Sequence, residues 1–203
     1  MDLYTTLAAT ILGLVEGMTE FLPISSTGHL ILTASVLHWV GDKAKVFEIA
    51  IQGGAMLAVI WHFRMRLIAT TKAMVSPEAS ERERALHFTR NLFIAFVPAA
   101  LLGLAFASAI KRCLFAPEPV ALAFIAGAVV ILWAEGRQAR VDVVRVTSVD
   151  AMGALDALKV GVAQAFALIP GTSRSGATII GGMLFGLSRV AATEFPFFLR
   201  FAP

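Results

Sequence analysis

The chain has 203 residues, of which 58% are hydrophobic and 15% charged, and its 17 Lys and Arg against 14 Asp and Glu leave a net charge of +3. So apolar a composition excludes an ordinary water-soluble domain and reads as one integral membrane domain, 1–203, with the lipid bilayer as its surroundings. The basic residues sit in connecting segments, which follows membrane topology and argues against nucleic acid as a partner, and the single Cys113 excludes an intrachain disulfide or a cysteine-based metal site.

Apolar runs cover about 3–15, 18–37, 46–63, 91–110, 119–134, 154–169 and 177–199. Asp2 precedes the first, with no Lys or Arg, which argues against a cleaved signal peptide. Phe47–Phe63, Asn91–Ile110 and Val120–Ala134 approach the roughly 20 residues that a helical crossing needs. Trp61 and Trp133 stand at the ends of two of them, where indole rings favour the interface. Residues 64–90 read as a loop with Arg64, Arg66, Lys72, Arg82, Arg84 and Arg90; 111–118 holds Lys111 and Arg112; 135–153 holds Arg137, Arg140 and Arg145. The positive-inside rule assigns 64–90 and 135–153 to the cytoplasm and 111–118 to the other side.

The two remaining stretches are interrupted and resemble each other. Gly13-Leu-Val-Glu16-Gly-Met-Thr-Glu20-Phe-Leu-Pro23-Ile-Ser25-Ser26-Thr27-Gly28-His29 aligns with Gly161-Val-Ala-Gln164-Ala-Phe-Ala-Leu-Ile-Pro170-Gly171-Thr172-Ser173-Arg174-Ser175-Gly176-Ala177 at an offset of 148. Pro23 and Pro170-Gly171 break a helix and the hydroxyl residues after them start a new one, so each stretch reads as a re-entrant hairpin. Three crossings separate the copies. An odd number turns the second copy upside down, which predicts an all-α inverted-topology repeat, repeat 1 at about 1–110 and repeat 2 at about 119–203. Non-helical tips at membrane depth persist only inside protein or beside a water-filled cavity.

Charges at that depth are a functional-site hypothesis in themselves. Glu16 and Glu20, four apart, share a helix face and suit a divalent cation or acid–base work; their structural alternative is pairing with neighbouring helices. Ser25, Ser26 and Thr27 open a helix whose N-terminus suits a phosphate, with His29 one turn inside and able to move a proton near neutral pH. Ser173, Arg174 and Ser175 offer the same geometry plus a guanidinium that grips phosphate oxygens bidentately, or pairs with Glu16 or Glu20 before substrate enters. Gln164 reads either as a site residue or as a packing hydrogen bonder, and Gly182 and Gly186 as points of close helix approach.

From about Leu7 to Phe195, including Phe47-Glu48 and Glu194-Phe195, these motifs resemble those of the bacterial undecaprenyl-diphosphate phosphatases of the bacitracin-resistance type. The resemblance implies removal of the terminal phosphate of a polyisoprenyl (C55) diphosphate lipid, which recycles a cell-wall carrier, in a multi-pass protein of the bacterial inner membrane whose site opens toward the periplasm. It implies a divalent cation, Mg²⁺ or Ca²⁺. It makes Glu16 and Glu20 metal or acid–base residues, Ser26 the nucleophile and His29 its proton partner, with direct attack by His29 as the alternative. Arg174, Ser173 and Thr178 hold the diphosphate, with Ser25, Thr27 and Ser175 beside them. Family members continue for some tens of residues beyond the position of Pro203, so the second repeat is expected to be incomplete, with lipid facing the tip that carries Ser173 and Arg174 unless a homodimer covers it. The rival readings are an inverted-repeat transporter or flippase of a phosphorylated lipid, which needs no His29 beside Ser26, and an inactive fragment. A phosphatase that uses two histidines is disfavoured because no histidine follows Arg174.

Overall fold

The computed structural model describes residues 2–39, 41–114, 117–138 and 144–199, so Arg140 and the closing residues 200–203 lie outside the described residues. Eight helices run through them. Helix α1 (Leu3–Thr19) starts at Asp2, whose extended backbone lets its carboxylate accept the Thr5 N–H at 2.8 Å. The side-chain hydrogen bond to Thr5 holds the Asp2 carboxyl below its ordinary range. The chain leaves the helix after Thr19, turns through Pro23, and re-enters one as α2 (Ser26–Val36), which packs back against α1. At about 1.5 Å per residue α2 is roughly 16 Å long, about half of the hydrocarbon thickness.

Helices α3 (Asp42–Met74), α4 (Ala79–Leu114) and α5 (Pro117–Gln138) supply the stretches long and apolar enough to cross a membrane: Val46–Met74, Ala79–Ile110 and Glu118–Arg137. Little of their surface is buried within the protein, and Leu104, Leu132 and Trp61 are among the apolar side chains they expose, as lipid requires. The expected loop at 64–90 is mostly helix, with only 75–78 joining α3 to α4. Hydropathy marks where lipid ends; the Ala, Met, Lys, Arg and Glu beyond that point are strong helix formers and carry both helices several turns further. Helix α6 (Ala154–Ala165) tightens into a 3-10 turn at Phe166–Leu168, and after a second break α7 (Arg174–Leu184) packs back on α6, followed by α8 (Arg189–Leu199).

The larger core gathers Phe88 and Ala95 of α4, Val160 of α6, Ile179 and Met183 of α7, and Phe195 and Phe198 of α8. Between helices in lipid there is no hydrophobic driving force, so close van der Waals contact does the holding. A Cβ on Gly161 would lie 2.3 Å from the Ala95 carbonyl oxygen, and one on Gly182 would lie 3.2 Å from the Ala192 Cβ. Gly182 thus permits close approach as expected, whereas Gly186 turns the chain at φ +91°. Buried Asn91 adds a hydrogen bond to the Met152 carbonyl at 2.7 Å. A smaller core joins Leu12, Leu30 and Ala34 to Trp39 and Phe47.

The returning helix α7 is more buried than its counterpart α2. α4 lies along α6, and α8 along α7, so Ser175, Gly176, Thr178, Ile179 and Ile180 are buried. The first hairpin instead exposes Leu14, Met18, Leu22, Ile31, Leu32 and Val36. Helix α7 is packed by α8 and α5, whereas α4 packs mainly on α6.

Candidate active site

Both hairpins break and restart by the same local device. Ser25 (φ −65°, ψ 109°) accepts the Gly28 N–H at 3.4 Å, and Ser173 (φ −69°, ψ 124°) accepts the Gly176 N–H at 3.0 Å. Each serine caps an 11-residue helix, so two positive dipole ends open at the tips. The tips touch. Ser175 Oγ donates to the Leu22 carbonyl at 2.6 Å, and the hydroxyls of Ser173 and Ser175 lie 3.1 Å apart.

Between the tips lies a cavity of about 470 Å³. The first tip lines it with Glu20, Ile24, Ser25, Ser26 and Thr27, and the second with Ala167, Thr172, Ser173, Arg174 and Ser175. Its third wall is Ile49, Gln52, Gly53 and Met56, one face of α3 at i, i+3, i+4 and i+7. Glu20 joins the two tips: Oε1 receives Arg174 Nη2 at 3.3 Å, and Oε2 accepts the Ser26 hydroxyl. The Arg174 side chain is half exposed, while that of Glu20 is largely enclosed. A guanidinium, a carboxylate and a hydroxyl are thereby contiguous at the mouths of two helix N-termini, which is the equipment for gripping a phosphate and moving one proton.

The other residues expected at the site stand elsewhere. Glu16, one turn before Glu20, is 1% exposed and does not border the cavity. Thr178 is equally buried, its hydroxyl donating to the carbonyls of Arg174 at 2.9 Å and Ser175 at 3.2 Å, which stiffens the first turn of α7. His29 Nδ1 lies 2.8 Å from the Ser25 carbonyl, an acceptor only, so Nδ1 carries the proton and Nε2 is the basic position. Its ring packs 5.6 Å from that of Phe124, outside the cavity lining. The hydroxyl of Ser26 is therefore joined to Glu20 rather than to His29: Ser26, first in α2, points at the tip, while the bond to Ser25 turns the imidazole back along the helix. Gln164 does not line the cavity. Gln52, Ile49, Gly53 and Met56 were not anticipated; the polar Gln52-Gly53-Gly54 break inside an otherwise apolar span was the signal for them.

Helix α5 braces both tips. A Cβ on Gly28 would meet the Phe124 ring at 2.4 Å, and one on Gly171, at φ +94°, would meet the Val120 carbonyl oxygen at 2.5 Å.

Three spans clad in apolar side chains, with two touching hairpin tips around a cavity lined by Glu20, Arg174 and several hydroxyls, define an integral membrane protein. Residues 9–203 match the family described as Bacitracin resistance protein BacA, and the chain belongs to that family. It is 62% identical over 200 residues to the undecaprenyl-diphosphatase of Janthinobacterium sp. (strain Marseille), an alignment that covers 98% of this chain and 70% of the relative. The undecaprenyl-diphosphatase of Herminiimonas arsenicoxydans is 62% identical with the same coverage, and undecaprenyl-diphosphatase 1 of Paraburkholderia xenovorans (strain LB400) is 57% identical over 201 residues, again 98% and 70%.

Proposed function

We propose that this membrane protein hydrolyses undecaprenyl diphosphate to undecaprenyl phosphate and phosphate, which recycles the lipid carrier and counters bacitracin. The observation that carries the reading is the Glu20–Ser26–Arg174 cluster at the two helix N-termini, set at a cavity of about 470 Å³. Arg174 and the N-termini of α2 and α7 hold the terminal phosphate where charge spreads in the transition state. Ser26 Oγ attacks phosphorus in line with the bridging oxygen and passes its proton to Glu20. The Oγ–P bond forms, the bond from phosphorus to the bridging oxygen breaks, and undecaprenyl phosphate leaves. Water then attacks the phosphoseryl phosphorus, the P–Oγ bond breaks, and Oγ recovers its proton from Glu20. Phosphate departs with the protons of the water, and the Glu20–Arg174 pair reforms.

The oxygen-bearing side chains of Glu20, Ser26, Thr27 and Gln52 line the cavity and would hold a hard cation such as Mg²⁺ or Ca²⁺. When bound, it would neutralise charge on the diphosphate. Glu16 is not part of that set, and among the described residues no group of three or more His, Cys, Asp or Glu gathers elsewhere.

The cavity lies against the first half of α3, whereas Arg64, Arg66, Lys72, Arg82 and Arg84 crowd the turn at its far end. With that basic turn in the cytoplasm of an inner-membrane protein, the cavity faces the periplasm. The 148-residue correspondence of the hairpins supports an inverted repeat. The exposed apolar flank of the first hairpin is compatible with a homodimer.

The experiment is phosphate release from C55 diphosphate by the purified protein in detergent, with and without EDTA. Release that disappears with EDTA and with Ser26→Ala is expected. Binding of the lipid diphosphate with no release under any divalent cation would replace the enzyme with a carrier.

A further inference from the structure

Glu194 and Phe197, three positions apart on α8 and both half-buried, share one face of that helix. Arg66 and Phe63, with the same spacing on α3, meet them. Arg66 pairs with Glu194 and, at 3.0 Å, with Asp150, and its guanidinium lies over the rings of Phe88 and Phe198. The Phe63 ring lies 5.8 Å from that of Phe197 and 4.8 Å from that of Phe198. Two rungs, one ionic and one aromatic, thus fix α8 against α3. Phe197 also meets the ring of Phe21, 6.0 Å away and tilted by 50°, a separation at which aromatic rings attract.

Phe21 is the residue after Glu20. The Glu20 N–H still bonds to the Glu16 carbonyl at 2.9 Å, but from Glu20 to Pro23 the chain is a turn, without the ladder of a helix. The first residue of that turn places one carboxylate on both Ser26 and Arg174. Ser175 holds the turn at the Leu22 carbonyl, and the ring contact holds it at Phe21. Neither Phe21 nor Phe197 borders the cavity. We propose that Phe197 is a positioning residue for the hydrolase reaction: it holds Phe21, and through the turn it sets where the Glu20 carboxylate meets the Ser26 hydroxyl. This role rests on the reading of Glu20 as the proton acceptor of Ser26. Proton transfer needs the two groups within hydrogen-bond reach, and a displacement of about 1 Å can cost about 100-fold in rate. Phe197 touches no reacting atom and no group that grips the phosphate, so its loss acts on kcat rather than on KM.

The test is a double-mutant cycle on the purified chain in detergent, read as phosphate release from C55 diphosphate. Phe197→Leu removes the ring and keeps apolar bulk; it should lower kcat at least fivefold, with KM changed less than twofold. Phe21→Leu breaks the same contact from its other partner and should do the same. Phe197→Tyr keeps the ring and should hold kcat within twofold of the unsubstituted chain. In a Glu20→Gln background Phe197→Leu should cost less than twofold, because the amide is no base and leaves nothing to position. Hydrogen exchange at residues 20–24 should quicken in Phe197→Leu while the elution volume stays the same. An equal loss in both backgrounds, a loss carried by KM, or unchanged exchange in that turn would overturn the positioning role. Full-rate release by Glu20→Gln alone would instead remove the proton acceptor itself, whereas a slow Glu20→Gln beside a fast Phe197→Leu refutes the positioning role and leaves the acceptor standing.

Discussion

The two hairpin tips share a backbone and differ in chemistry and in cover. Ser25 and Ser173 cap, α2 and α7 run for 11 residues each, and the C-caps Leu37 (φ −81°, ψ 2°) and Phe185 (φ −87°, ψ 4°) close them alike, every pair 148 positions apart. At the first position of those helices, however, stand Ser26 and Arg174, and opposite Glu20 stands Leu168. In the proposed mechanism one tip carries the nucleophile and the proton acceptor, and the other carries the cation. On that proposal, two helix starts of closely similar geometry divide into a reacting half and a holding half. The cover differs too: α8 packs along α7, and more of α7 than of α2 is buried. Local capping is enough to reproduce a tip; it does not decide what surrounds it.

If the division is real, the largest loss comes from the reacting half. Ser26→Ala should lower kcat by 10³-fold or more, measured as phosphate release by protein that elutes normally. An equal or greater loss in His29→Ala, with Ser26→Ala mild, would move the attack to the imidazole. Glu20→Gln should cost about 10²–10⁴-fold, the usual range for a lost general base. The apparent affinity for the activating cation should weaken with it, whereas Leu168→Ala at the matching position changes the rate only a few-fold. On the holding half, Arg174→Lys should cost about 100-fold, near 2.7 kcal/mol, because a point charge replaces a planar fork. Rates near normal would make the Glu20 pair its main role. His29→Ala should cost tenfold or less, because its visible bond orients the first turn of α2 rather than the Ser26 hydroxyl. The smallest effect concerns the caps. Ser25→Ala and Ser173→Ala each remove about 1 kcal/mol of helix stability. Hydrogen exchange should register the loss as faster opening of α2 and hardly at all in the enclosed α7.

The tips were legible because Ser, Pro and Gly act over a few residues, so the break at Pro23 and the start at Ser25 need no knowledge of the remaining chain. Helix ends were less so: α3 and α4 continue through residues that hydropathy assigns to a loop, since hydropathy reports lipid and not hydrogen bonding. The Glu20–Arg174 pair was foreseeable as one option from charge at depth. The hydrogen-bond partner of the Ser26 hydroxyl was not, because sequence proximity favoured His29, while the orientation of that ring depends on the Ser25 carbonyl. Gln52 joins the cavity only through the way α3 leans on both tips, a tertiary fact that one stretch of sequence does not contain.

Val120 and Phe124 lie one turn apart on α5, yet one abuts Gly171 and the other Gly28. A single rigid rod therefore bears on both jaws of the anion clamp. Any displacement of α5 would thus be felt at both tips together, and a change of side-chain volume at Gly28 or Gly171 would be passed to the other tip through the same helix.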